Sequence, residues 1–189
     1  MTRTKLVLSG LACATAVLLG ASGTALAFAE PRPEPDAELT SAATAKKIRA
    51  DAGIVLLNSH VSGRNHPAST ARANIADTAA GGRATTSPWS DVGVKKVTLT
   101  ERMLTGMLKM RAAGYKFRVT TIVGGDHSTN SRHYAGLAFD VAQINGRAVS
   151  SSHPSYRTFM NKCRAFGATE VLGPGNAGHS GHVHCAWPR

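Results

Sequence analysis

The chain has 189 residues, with 22 Lys and Arg against 11 Asp and Glu and a formal charge of +11. Past one N-terminal run, no segment is apolar enough to cross a membrane as a helix. Four of the acids (Glu30, Glu34, Asp36, Glu38) fall in one short stretch, so residues 39–189 carry 19 basic and 7 acidic side chains, a net +12 that draws the folded part to polyanions.

The first element is an export signal. Arg3 and Lys5 precede an apolar run from Leu6 to about Leu19, and the triplet Ala25-Leu26-Ala27 closes it. That order is a secretory signal with an A-x-A cleavage site, residues 1–27; Ala27-Phe28-Ala29 offers a second cut. Cys13 lies within the run and leaves with the signal. The protein is therefore expected outside the cell or in the cell wall, as a monomer. An anionic wall polymer then fits the basic surface better than nucleic acid does. The 162 residues after the signal suit one domain. Residues 28–39, rich in Pro and Glu, read as a flexible leader.

Residues 40–93 read as an N-terminal helical segment of the domain. Thr40 or Ser41 caps a helix to about Asp51, and Gly53 breaks it. Ile54 to Leu57 is a strand or a continuation of that helix, and periodicity leaves both open. Ser69 or Thr70 caps a second helix through Ala80, ended by Gly81-Gly82. In the core, residues 94–189, Thr98 and Glu101 make a capping box for a helix whose apolar face is Leu99, Met103, Leu104, Met107 and Leu108. Phe117 to Val123 reads as a strand. Leu137 to Ile144 is another, turned into a hairpin at Asn145-Gly146. Pro154 opens a helix with Tyr156, Phe159, Met160 and Cys163 on one face. Glu170–Leu172 and Gly181–Trp187 are the last strands. The fold class is α+β, with helices packed on a small antiparallel sheet. An even pair of cysteines in an exported chain, Cys163 and Cys185, is expected to form a disulfide, with two buried thiols as the alternative. Closing that 22-residue separation stabilises by ~3 kcal/mol.

Histidine placement is the sharpest signal. His182 and His184 stand two apart on a strand and share a face, while Val183, Cys185 and Trp187 take the other. Upstream runs Ser131-Arg132-His133-Tyr134-Ala135-Gly136-Leu137-Ala138-Phe139-Asp140. An Asp bracketed by Leu137, Phe139 and Val141 is costly to bury unless paired or metal-bound. Two imidazoles and one carboxylate make a catalytic-type zinc site, in which three protein ligands leave a fourth position open. Strand alternation turns Cys185 away from that site.

The pattern S-x-H-x-x-G-x-A-x-D followed by H-x-H resembles the zinc D-alanyl-D-alanine carboxypeptidases and the hedgehog signalling domain, which share one fold. Arg118-Val119-Thr120, His127-Ser128, His133-Tyr134-Ala135-Gly136 and His182-Val183-His184-Cys185 carry the likeness, which spans residues 94–189. The resemblance implies a hedgehog/D,D-peptidase-like fold, zinc held by His133, Asp140 and His184, and His182 beside the metal as a transition-state group. Many relatives carry a Glu shortly before the last ligand. Here Gly178-His179-Ser180-Gly181-His182 stands there instead, and His179 matches a carboxypeptidase branch with a histidine five residues before the last ligand. His179, His182 and His127 are thus the candidates for proton transfer. Arg118 or Arg132 would take the substrate's terminal carboxylate. The implied activity is hydrolysis of D-amino-acid peptide bonds in peptidoglycan stem peptides, as carboxypeptidase or endopeptidase. The alternative is a non-catalytic, zinc-stabilised wall-binding module, which the missing Glu favours.

Overall fold

The structure is a computed structural model that describes residues 40–189. The expected signal and leader lie outside the described residues. No helix among the described residues is long and apolar enough to cross a membrane.

The fold is α+β, with four helices on a mixed sheet. Helix α1 (Ser41–Ala50) is capped by Thr40, whose hydroxyl accepts from the Ala43 amide. Residues Ile54–Leu56 form β1, which settles the ambiguous stretch as a strand. Thr70 caps α2 (Ala71–Ala79) in the same way, and Gly81 at φ 82° ends that turn. Two short strands follow that sequence patterning did not show, β2 (Ala84–Thr85) and β3 (Lys96–Val97), paired antiparallel. Helix α3 (Glu101–Ala112) buries Met103, Leu104, Met107 and Met110, while Leu108 is only partly covered.

The N-terminus of α3 differs from the expected capping box. Thr100 is the N-cap residue and its side chain makes no cap bond. Its amide and hydroxyl both donate to the Gly136 carbonyl instead, at 3.1 and 3.4 Å. Glu101 accepts from the hydroxyls of Thr44 at 2.5 Å and Thr105 at 3.0 Å. A tertiary tie to α1 and to the loop before Asp140 has displaced a local one.

The main sheet runs β1-β4-β5-β8-β7, with β4 at Phe117–Thr121, β5 at Ala138–Ile144, β7 at Glu170–Leu172 and β8 at Val183–Ala186. The two-residue β6 (Arg147–Ala148) returns along β5 through the Asn145-Gly146 turn, whose residues sit at φ 50° and 79° as a tight hairpin demands. The expectation of a purely antiparallel sheet is corrected at one edge, because β1 pairs with β4 in parallel. The chain between them holds α2, the β2–β3 pair and α3, a crossover long enough to bring β4 back in the same direction. Helix α4 (Tyr156–Ala165) lays Tyr156, Phe159, Met160 and Cys163 into the core. Cys163 is joined to Cys185 of β8 by the expected disulfide, with Cα atoms 6.3 Å apart.

Candidate metal centre

Register places the site. Asp140 on β5 stands directly opposite His184 on β8, and Phe139 stands opposite Cys185. Period-two alternation therefore sends Asp140 and His184 to one face and Cys185 to the other, where it meets Cys163. His133 arrives from a short 3-10 turn, His133–Ala135, closed by Gly136 at φ 71°. A Cβ on Gly136 would stand 2.2 Å from the Thr98 carbonyl oxygen, so the motif's glycine answers both to backbone conformation and to close approach. On β4 the register slips around Val119, a bulge that bends the strand end toward the loop carrying His127 and His133.

His133, Asp140 and His184 are 1%, 6% and 5% exposed. Asp140 Oδ1 lies 3.2 Å from His133 Nε2 and 3.0 Å from His184 Nδ1, and those two nitrogens are 3.0 Å apart. Proton placement decides what such a triangle means. His133 Nδ1 faces the Ile122 carbonyl at 2.5 Å, so that nitrogen carries the proton. His184 faces a carboxylate at each nitrogen, Glu170 at Nε2 (3.1 Å) and Asp140 at Nδ1 (3.0 Å), and donation from Nε2 to Glu170 is the tautomer that frees Nδ1 for a metal. With the protons so placed, the remaining nitrogens are bare and three lone pairs converge on one spot, which a cation would satisfy. Tetrahedral zinc, with bonds of about 2.0–2.2 Å, would set its ligand atoms about 3.3–3.5 Å apart, close to what is seen. A proton is the competing cation. Burial opposes charging His133, but the Asp140 carboxylate outweighs that and raises its pKa. Burial likewise opposes ionising Asp140, and the His133 charge outweighs it, holding the carboxyl well below its ordinary range.

His127 belongs to a looser group. It, His133 and Asp140 could also hold a metal, with ligand atoms within 4.8 Å of one another. The His127 ring stacks on His133 at 4.0 Å between centroids and 13° between planes. In-plane lone pairs of nearly parallel rings run side by side and do not meet, so the set containing His184 has the better convergence. His127 Nε2 donates to the Gly124 carbonyl at 3.0 Å, and burial first, then the His133 charge, push its pKa down to about 3.

A cavity of about 490 Å³ opens over the centre, and His179, His182, Arg132 and Arg189 all line it. His182 lies in the loop just before β8, since the last strand starts at Val183 and not at Gly181 as expected. Burial lowers its pKa and keeps the ring neutral. His179 donates through Nδ1 to the Ala177 carbonyl at 2.7 Å, which leaves Nε2 bare, and its ring centre is 4.7 Å from that of His182.

The two arginines expected to bind substrate are placed differently. Arg132 donates to Thr169 Oγ1 at 2.6 Å and the Trp187 carbonyl at 3.1 Å, and its Nε is 3.5 Å from Glu170. Its Nη1 is thus spent on Thr169 and Trp187, and only Nε faces Glu170. Arg118 pairs with Gln143, three residues along β5 from Asp140, or roughly 10 Å. It lines a separate cavity with Lys116 and Gln143, which corrects its placement beside the metal. Sequence reading missed Glu170, the carboxylate behind His184. It stands on β7 diagonal to His184, and only strand register brings the two together.

Comparison with known proteins bears on this centre. The chain is similar to a zinc D-Ala-D-Ala carboxypeptidase. That relative, from Streptomyces albus G, is 29% identical over 104 residues. The match covers 53% of this chain and 41% of the relative, so the chain spans well under two thirds of the protein it resembles. No family model matches the chain, and no solved structure does.

Proposed function

We propose that the chain is an exported zinc peptidase of the hedgehog/D,D-peptidase fold that hydrolyses D-amino-acid peptide bonds in peptidoglycan stem peptides. The single observation that carries this reading is the convergence of His133 Nε2, His184 Nδ1 and Asp140 Oδ1 at 3.0–3.2 Å. Likeness to a zinc D-Ala-D-Ala carboxypeptidase supports both the metal and the bond class. The disulfide, the A-x-A triplet and the excess of basic residues support export toward an anionic wall.

His133, Asp140 and His184 would hold the zinc, which supplies a Lewis acid that activates water and polarises the scissile carbonyl. The chain's own groups do the rest. Glu170 accepts from His184 Nε2, fixes its tautomer and aims Nδ1 at the metal position. His179, with Nδ1 committed to Ala177, offers Nε2 to take a proton. His182, neutral beside it, moves that proton or donates to the carbonyl oxygen as negative charge develops there. His127 is a poor base with its pKa near 3, far from a neutral working pH, and acts as the packing face of His133.

Elemental analysis of the purified protein and of D-Ala released from wall fragments tests this directly. About one zinc per chain with D-Ala release or cross-bridge cleavage is the expected result. Zinc retained in both His133→Ala and Asp140→Ala would remove these residues from the metal site. Zinc without turnover of any wall fragment would select the wall-binding module.

A further inference from the structure

We infer that a second cavity, walled by Trp89 and Arg64, is a substrate subsite for a carboxylate-bearing peptide arm that extends past the metal centre. This rests on the peptidase reading and names the part of the substrate that lies away from the cleaved bond. The cavity measures about 430 Å³, and His60, Arg64, Trp89 and Thr121 line it. Asp126 and His127 line both this cavity and the one over the metal, so the two abut along those residues. A peptide held at the metal and running past His127 would therefore meet a pocket built largely by residues 60–89, the segment to which the sequence patterns assigned no role.

The pocket is held rigidly to the metal loop. Ser69 is 1% exposed. Its hydroxyl meets His66 Nδ1 at 2.9 Å, His60 Nε2 at 3.0 Å and Ser87 Oγ at 2.8 Å. Ser87 Oγ in turn accepts from the Gly125 amide at 2.9 Å, two residues before His127. Gly124 approaches so closely that an added Cβ would stand 2.0 Å from the Ser69 carbonyl oxygen. With every bond on the Ser69 hydroxyl taken and the residue buried, this serine is a rivet and not a nucleophile. His60 and His66 press their rings edge-on against Trp89, at 4.9 and 6.3 Å between centroids, and fix the indole in place.

Charge selects the ligand. The Arg64 guanidinium carbon lies over the Trp89 ring at 5.5 Å from its centroid, and among the described residues the guanidinium makes no hydrogen bond and no ion pair. A guanidinium held over an indole face keeps its N–H groups free, and a carboxylate can take two of them at once. The Asp126 carboxylate at the junction repels an anion there and so sends the arm's carboxylate to the Arg64 end. A sugar ring stacked on Trp89 would have to compete with Arg64 for the indole face, which argues for the peptide and against the glycan strand.

Titration of the zinc-loaded protein with synthetic peptides, read by tryptophan emission, is the test. Trp187 is 2% exposed, so a ligand-induced change reports Trp89, and Trp89→Phe must abolish it. The probes are N-acetylated L-Ala-D-Glu-L-Lys-D-Ala, which lacks a D-Ala-D-Ala bond, and the same peptide with D-Gln for D-Glu. The acidic peptide is expected to bind roughly tenfold or more tightly than the amide in the wild type, as loss of a charged hydrogen bond implies. In Arg64→Ala that preference should disappear with an unchanged melting temperature, and in Arg64→Lys it should return in part. Equal binding of both peptides to the wild type, no binding of either, or an unchanged preference in Arg64→Ala would each overturn the subsite. So would a wall disaccharide that alters Trp89 emission as strongly as the peptide. Carboxylate-dependent binding with no hydrolysis of wall fragments would instead sink the peptidase reading and leave the subsite standing. Hydrolysis without carboxylate-dependent binding would do the reverse.

Discussion

His153 and His133 are both buried histidines beside a strand of the same sheet, yet they differ in one respect that decides their roles. His153 donates through Nε2 to the Ile144 carbonyl at 3.1 Å and accepts at Nδ1 from the Ser155 amide at 3.0 Å. Its one ring proton has an acceptor and its one lone pair has a donor, so the ring is a finished structural bracket between β5 and the start of α4. His133 also spends its proton on a carbonyl, that of Ile122, but its lone pair faces another lone pair and a carboxylate oxygen. Burial does not single out a candidate metal ligand; the convergence of its free ring nitrogen with other acceptors does.

The largest effect that can break this contrast is metal binding itself. His133→Ala should abolish zinc binding, while His153→Ala should keep the full zinc content and lose ~1–3 kcal/mol of stability from two groups left without partners. Chelator competition and a denaturant melt on the two variants check this. Metal loss in both would mean that the corner at His153 supports the site, and the contrast would fail.

Next in size is the disulfide. Removing it by Cys163→Ala with Cys185→Ala should cost about 3 kcal/mol for a loop of 22 residues. Zinc content should not change in the variant that remains folded, because Cys185 and His184 point to opposite faces of β8. Zinc lost from a still-folded double variant would show that the faces are coupled.

A smaller shift is expected behind the metal. Glu170→Ala removes the acceptor for His184 Nε2–H and should weaken zinc binding by ~10–100-fold. Glu170→Gln keeps an acceptor oxygen and should lose less. Equal affinities of all three proteins in a competition titration would show that His184 is oriented by the strand alone.

These residues also show where sequence reading reaches and where it stops. His133 and Asp140 were legible because their spacing crosses one turn and one strand, and local geometry carries it. Alternation along a single strand sets His182 and His184 on one face, and the choice of His184 as the ligand rests on the family resemblance. Glu170 was not legible: it meets His184 only through the β7–β8 register, which depends on the turn at Gly173–Gly175 and on core packing. Arg118 was misplaced for the same reason, since its strand is read correctly but its pairing with Gln143 sets it away from Asp140. Thr98 fits a capping pattern, but Thr100 and Glu101 take tertiary partners, and those outweigh a local bond. Strand β1 carries apolar residues that suit a helix or a strand, and its parallel partner lies more than sixty residues away.

Asp51 extends the contrast to carboxylates and carries the smallest effect. Both it and Asp140 titrate below the ordinary range, but by different means. Asp140 owes this chiefly to His133, a partner that can itself lose its charge. At Asp51 burial opposes ionisation, and the Arg111 guanidinium at 2.9 Å outweighs it, helped by the Gly53 amide at 2.7 Å. A guanidinium, unlike an imidazole, is not a partner that loses its charge in the accessible pH range. The two side chains remain 23% and 27% exposed, so solvent screens the pair and its worth is ~0.2–1 kcal/mol. Because the folded pKa lies below the unfolded one, the unfolded chain binds more protons in acid. The pair's contribution is then full above the ordinary carboxylate range and fades as the pH falls through and below it. Arg111→Met should therefore be slightly less stable than the wild type at neutral pH, with the gap closing in acid. Denaturant melts across that range read the difference. A gap that stays constant with pH would assign the loss to the packing of Arg111 over Gly53, where an added Cβ would stand 2.2 Å from Arg111 Nε, and not to charge.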